Sequence, residues 1–328
     1  MEMRNFGATG LAVSSLGIGC ARIGGIFQQD AASFVRVLRT ALDAGINFFD
    51  TADMYSQGES EKLLGRALSG ARDRAVIATK AGFLLPARRR LIARAKPLVR
   101  PLIRALGLRR VSLPASVRGA PTQDFSPGHL RRAVEGSLRR LRTDRIDLFQ
   151  LHSPPTAVIE RGDWLPVLQR LQGEGKILHY GVACDTSSDG LVALRHPGIS
   201  SLQVTINLLE RGAVDLLLPA AREKNVAVIA RECLANGLLV KDAASVDLRN
   251  YCSTPEELER RQRQLTAVRE LAARNRSSLP ELSLRFVQRL AGVSVALIGV
   301  RTREQLEGLL RLPQGEPLSA ETLRALPV

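Results

Sequence analysis

Eight short apolar runs, each followed by a helical pattern, limit what this chain can fold into more than any other feature. The runs are Leu16–Cys20, Ile46–Asp50, Ala75–Thr79, Ile146–Leu151, His179–Ala183, Leu202–Ile206, Val226–Ala230 and Val293–Ile298. Between the first two, Asp30 is placed to cap a helix with Phe34, Val37, Leu38, Ala41 and Leu42 on one face, and Gly45 ends it. A second helix carries Leu63, Leu64, Ala67 and Leu68 and stops near Gly70. Ser126-Pro127 is a cap and first-turn pair for a helix through Leu130, Val134, Leu138 and Leu141. Later helices are expected around Trp164–Leu171, near Leu191 and Leu194, and over Ala213–Glu223, Pro255–Arg274, Leu279–Leu290 and Arg303–Leu310. Trp164, the one tryptophan, falls in a helix pattern and is not read as a substrate wall. A small hairpin over residues 4–13 precedes the first strand.

Repeated strand–helix units predict a parallel α/β sheet. A chain of 328 residues is long enough for one large barrel or for two ordinary domains. Eight units favour a closed (β/α)8 TIM barrel as one domain over 1–328, with its working face at the C-terminal strand ends. A doubly wound sheet is the runner-up. It requires a glycine-rich turn between the first strand and helix. Here Gly17-Ile18-Gly19 begins inside the strand and Gly24-Gly25 follows at the wrong spacing.

The alternation breaks once, at residues 84–123, after the third strand. This insertion holds ten basic residues and no acid, so it supplies two-thirds of the net charge of +15. The basicity is therefore local. Leu91, Ile92, Ala95, Leu98 and Leu102 alternate with arginines in a helix-like way, interrupted by Pro97 and Pro101. A basic lid over the mouth would attract an anionic substrate. A basic amphipathic helix would lie on an anionic membrane. The bland reading is a packing lid with a solvated charged face. Without interleaved aromatics, the segment does not read as a nucleic-acid surface. No run approaches ~20 apolar residues, so none is expected to span a membrane. With no signal peptide pattern at Met1-Glu2-Met3-Arg4-Asn5, the expected location is cytoplasmic. Cys20, Cys184, Cys233 and Cys252 are widely spaced, without a CxxC pair, and suggest neither a disulfide framework nor a metal site.

Polar residues at the strand ends carry the chemistry. Asp50 ends the second strand and Tyr55 lies in the loop after it; Lys80 ends the third strand and His152 the fourth. Each alone reads as structural: a polar turn, a surface lysine, a satisfied core histidine. On consecutive strand ends they converge. An ammonium beside a phenol favours the phenolate and lowers its pKa from about 10. A carboxylate paired with the lysine keeps it charged and in place. A histidine can hydrogen-bond a carbonyl oxygen and orient it. Such a set can protonate the alkoxide formed when hydride reaches a carbonyl.

The chain resembles the aldo-keto reductase family over nearly its whole length. The residues that carry the resemblance are Arg4-Asn5-Phe6-Gly7-Ala8-Thr9-Gly10-Leu11, Phe49-Asp50-Thr51-Ala52-Asp53-Met54-Tyr55, Ala78-Thr79-Lys80, Leu151-His152-Ser153-Pro154, Gln203 with Asn207, and Gly299-Val300-Arg301-Thr302-Arg303-Glu304-Gln305-Leu306. The resemblance implies NADPH or NADP bound in extended form, with NAD left open, and a small carbonyl or alcohol substrate. It implies Tyr55 as proton donor, tuned by Lys80 and Asp50, with His152 orienting the substrate. Asp50 and Gln203 would meet the nicotinamide end, and Arg231 falls where many members place a stacking aromatic ring. A guanidinium plane can also stack. Leu234 and Asn236 would line the cofactor, and Gly299, Arg301 and Gln305 its phosphate region. The chain departs from the family pattern in three places. Ala183-Cys184 stands for Ser-Asn, Glu232-Cys233 for Ser-Pro, and Leu309 for an adenine-contacting asparagine. Glu232 would need an arginine partner or would clamp the adenine ribose. The alternative function is a regulatory or scaffold subunit that docks a partner through residues 84–123.

Overall fold

In a computed structural model, residues 1–21, 31–84, 122–240, 247–252, 254–312, 318–319, 322–323 and 326 are described. The chain opens with a hairpin, β1 (Met3–Asn5) against β2 (Ala12–Ser14). Eight parallel strands then close a barrel in chain order: β3 (Leu16–Gly19), β4 (Phe48–Asp50), β5 (Val76–Ala81), β8 (Ile146–His152), β9 (Ile177–Ala183), β10 (Ile199–Thr205), β11 (Ala227–Arg231) and β12 (Val293–Ile298). The (β/α)8 barrel read from the alternation is the fold, and the doubly wound sheet is not. The remaining pair, β6 (Phe83–Leu84) and β7 (Thr122–Gln123), lies outside the barrel. It joins the two ends of the basic insertion. The interior of the insertion, with its helix-like pattern, lies outside the described residues, as does Asp30.

Two apolar layers hold the barrel. Phe48, Val76, Leu148, Ile229 and Val295 form one cluster with Phe6 and Val13 of the hairpin. Phe6 and Phe48 stack with ring centroids 5.5 Å apart. The hairpin also docks by Ala8 N–H donating to Asn225 O at 2.9 Å. The second layer packs the helices against the strands: α1 (Ala31–Asp43), α2 (Glu59–Ala67), α3 (Pro127–Leu141), α4 (Thr156–Arg161), α5 (Leu165–Gly173), α6 (Ser187–Ala193), α7 (Leu217–Glu223), α8 (Pro255–Arg274), α9 (Leu279–Arg289) and α10 (Arg303–Leu310). Fully burying one Leu, Ile or Phe contributes about 1.5–3 kcal/mol, so this double layer is the main stabilising term.

The differences from the sequence reading have local causes. β4 begins at Phe48 because the Gly45 and Ile46 amides still donate to Leu42 O and Ala41 O of α1. α7 begins at Leu217, leaving Ala213–Leu216 as a turn. Trp164 sits just before α5, fully buried, and donates Nε1–H to Val158 O at 3.1 Å. Ser126 caps α3 as its sequence indicates, accepting from His129 N–H.

Candidate active site

The C-terminal ends of the strands meet in one mouth, and the pairing register sets which residues share it. Asp50 is the last residue of β4, His152 of β8 and Arg231 of β11. Lys80 is paired in register with Gln150, one turn of pleat below His152. The Lys80 ammonium is fully buried and donates to both Asp50 oxygens, at 2.7 and 2.6 Å, and to Thr51 O at 2.9 Å. Burial alone would lower the Lys80 pKa. The Asp50 carboxylate and the Tyr55 phenol oppose that and prevail, so the pKa is raised and the ammonium stays charged. Gln203 Nε2–H donates to Asp50 Oδ1 at 2.8 Å, which uses its amide nitrogen and leaves its amide oxygen as an acceptor.

Tyr55 opens a tight turn, Tyr55–Gly58, in which Ser56, Gln57 and Gly58 all have positive φ. That turn places the Lys80 ammonium 5.3 Å from the centroid of the Tyr55 ring. The expectation of a lowered phenol pKa is corrected here. Burial raises it, and by more than the Lys80 and Arg231 cations lower it. Tyr55 therefore holds its proton at neutral pH. His152 stands edge-on to Tyr55, with centroids 5.6 Å apart at 84°, and edge-on to Phe83 at 4.9 Å and 88°. Burial first, then the Lys80 and Arg231 charges, keep His152 well below the usual histidine range. It is neutral, and its Nδ1 is buried without a partner among the described residues. The protonated phenol of Tyr55 thus has a charged lysine 5.3 Å from its ring centroid and a neutral imidazole centred 5.6 Å away.

Several contacts around this set are not legible in sequence. The Arg231 guanidinium donates to Thr205 Oγ1 at 3.2 Å, and to Cys184 O and Asp185 Oδ1 at 3.0 Å each. Ser153 Oγ–H donates to the same Asp185 oxygen at 2.6 Å, and Gln123 Nε2–H donates to Ser153 O at 2.7 Å. Behind Tyr55, fully buried Glu61 accepts from Thr79 Oγ1 at 2.8 Å and from Arg140 Nε. Asp53 faces it, with Oδ1 buried and unpartnered among the described residues. Burial and the Glu61 charge raise the Asp53 pKa to about 7, against the Arg140 and Lys80 cations. Unfolded, this group titrates near ~3.9. The folded state holds the proton more tightly, so the stabilisation is complete in acid and is lost as pH rises through about 7. Asp53→Asn should therefore melt at nearly the wild-type temperature near pH ~4 and progressively above it toward pH ~8. A pH-independent difference in thermal melts would contradict this.

The residues expected at the cofactor end are spread along the rim. Leu234 packs against the core, and Asn236 Nδ2–H donates to Glu232 Oε2 at 2.8 Å. Of the two roles expected of Glu232, an arginine partner or a clamp on the adenine ribose, the first is not seen among the described residues, where its partner is an asparagine. The open space around Gly299 leaves room for a ligand: a Cβ there would meet nothing within 4 Å. Arg301 N–H donates to Gln305 Oε1 at 2.9 Å, and the exposed Arg301 guanidinium makes no ion pair among the described residues. Thr302 caps α10 by accepting from Gln305 N–H. An exposed guanidinium is a good partner for a phosphate. Leu309 packs into the core layer and offers no polar contact. The rim thus runs from the buried polar group of Asp50 and Gln203 to the exposed guanidinium of Arg301.

Comparison with known proteins follows the same outline. The model of the Aldo/keto reductase family matches residues 15–326. The chain is 31% identical over 310 residues to the D-threo-aldose 1-dehydrogenase of a Pseudomonas species, covering 91% of this chain and 89% of that one. Among solved structures it is similar to an aldo-keto reductase from Bacillus halodurans in its holo form, with a TM-score of 0.79 and 26% identity, covering 100% of this chain and 97% of that one. It is also similar to a glycerol dehydrogenase from Gluconobacter oxydans, with a TM-score of 0.76 and 27% identity, covering 99% and 93%.

Proposed function

The chain belongs to the aldo/keto reductase family, and from that premise we propose that it is an NADPH-dependent oxidoreductase interconverting a carbonyl and an alcohol, with Tyr55 as the proton donor. The bound dinucleotide supplies the hydride. The protein's own residues do the rest. His152, neutral and wedged between Tyr55 and Phe83, donates a hydrogen bond to the substrate carbonyl and orients it. Tyr55 holds its proton at neutral pH and delivers it to the oxygen as negative charge builds there. The Lys80 ammonium, kept charged by Asp50, stabilises the phenolate that remains. Run in reverse, the same groups take a proton from an alcohol.

The observation that carries this reading is the buried Asp50–Lys80 pair beside Tyr55. A charged lysine fully out of water is costly unless it is paired. In this mouth it acts next to a phenol. For the cofactor, Gln203 offers its amide oxygen to the carboxamide and Arg301 its guanidinium to the 2′-phosphate. Glu304, in the first turn of α10, brings a negative charge to the same end, so the preference rests on Arg301. Arg301→Leu should weaken NADPH binding about tenfold and leave NADH binding nearly unchanged, measured by quenching of Trp164 fluorescence or by calorimetry. Equal weakening of both would remove Arg301 from the phosphate site. We place the substrate's specificity in the loops around the mouth, with an anionic group as one candidate feature.

A further inference from the structure

Arg231 brings a permanent positive charge to the mouth. That charge reaches the chemistry: it favours ionisation of the Tyr55 phenol and opposes protonation of His152. Lys80 is the other cation there, but Asp50 is committed to it through both carboxylate oxygens. On the Arg231 side, Asp185 is the carboxylate paired with the guanidinium. Neighbouring Glu232 turns its Oε2 to Asn236, and His152 is neutral.

Asp185 does more than pair. The oxygen that takes Arg231 also takes the Ser153 hydroxyl at 2.6 Å. Ser153 follows His152 and stands at φ 50, an uncommon conformation for a residue with a side chain. Asp185 therefore links the chain just after β8 to the end of β11, across the mouth. Its side chain is 64% exposed, so it is a carboxylate in contact with water that is held in place by two donors.

The charge balance matters because of what the reaction does to its hydride carrier. A nicotinamide ring is neutral when reduced and positively charged when oxidised. A cation at the mouth repels the oxidised ring and leaves the reduced ring nearly unaffected. Arg231 alone would tilt binding toward the reduced form. A carboxylate on Arg231 tempers that tilt.

We propose that Asp185, acting through Arg231, sets how strongly the mouth prefers the reduced over the oxidised dinucleotide. The inference rests on the reading above that the nicotinamide end lies at this mouth. Asp185 is a positioning residue: it acts on the ring through the guanidinium it holds.

The test is a pair of dissociation constants, for NADP+ and for NADPH, measured by titration calorimetry on the full-length protein without substrate. Asp185→Asn keeps an acceptor for Arg231 and Ser153 and removes only the charge. The ratio of the NADP+ to the NADPH dissociation constant should rise roughly threefold, the size expected for an exposed, screened pair. Arg231→Gln should lower the same ratio. A merely structural role would weaken both forms by one common factor and leave the ratio where it was, and that result overturns the proposal. If the wild-type protein binds neither form, the functional reading fails together with this one. If it binds both and Asp185→Asn leaves the ratio unchanged, only this inference fails.

Discussion

Replacing Tyr55 by Phe should reduce carbonyl turnover by about 10²–10⁴-fold, the contribution typical of a positioned general acid. The change removes one oxygen and keeps the ring that stands edge-on to His152. Packing, thermal stability and cofactor affinity should all stay close to wild type. The loss should appear in kcat, because the proton is needed only as charge builds on the substrate oxygen. Tyr55 holds its proton through neutral pH, since burial raises its pKa above the ordinary phenol value. The wild-type reduction rate should therefore show no loss assignable to Tyr55 as pH rises through neutrality. Steady-state kinetics of both proteins across pH check both statements. A Phe variant that retains wild-type turnover would remove Tyr55 from the chemistry.

Lys80→Met should cost both activity and stability. Lys80 is fully buried, and its ammonium satisfies both oxygens of Asp50, which is itself only 3% exposed. Removing the cation leaves a buried carboxylate with Gln203 as its remaining side-chain donor among the described residues. Breaking a buried pair from one side costs about 3–5 kcal/mol. Removing both charges together is far less costly, because no charge is left uncompensated. The double variant Lys80→Met, Asp50→Asn should therefore recover most of the lost stability in denaturant unfolding, while remaining inactive. Recovery of stability without activity separates the two roles of the pair. A double variant that unfolds as readily as the single one would show that Lys80 stabilises by packing rather than by pairing.

Much of the architecture is written in the order of residues. Eight apolar runs separated by helical faces require a parallel sheet, and their number closes it. Ser126-Pro127 marks a helix start that the structure keeps. The strand ends at Asp50, Lys80 and His152 are local features, so the sequence shows that they converge once the barrel is assumed. What sequence does not show are bonds between distant residues and the effect of burial. Glu61 and Arg140 are held together by the packing of α2 on α3. Asp185 reaches Ser153 and Arg231 across three strands. No periodicity predicts either contact. The Tyr55 pKa lies above the ordinary value, opposite to the expectation from sequence, for the same reason. A lysine nearby is visible in sequence, whereas the loss of solvent that outweighs it is a property of the folded mouth. Glu232 shows the limit from the other side. An arginine partner is one of two readings of its charge, beside a clamp on the adenine ribose, and the left-handed turn over Ala235 and Asn236 brings an amide to it.

Passage of hydride from a reduced nicotinamide to a carbonyl carbon is the reaction proposed for this mouth. It is tested most directly with NADPH carrying deuterium at the nicotinamide C4, supplied with a panel of aldehydes, ketones and aldoses. Mass spectrometry of the products reads where the label goes. Wild-type protein should place one deuterium on the carbinol carbon of at least one product while the absorbance of the reduced cofactor falls. Tyr55→Phe should do so at least a hundredfold more slowly, in line with the loss of a general acid. Tight NADPH binding with no label transferred to any member of the panel, and no difference between wild type and Tyr55→Phe, would rule out hydride transfer to a carbonyl as this protein's reaction.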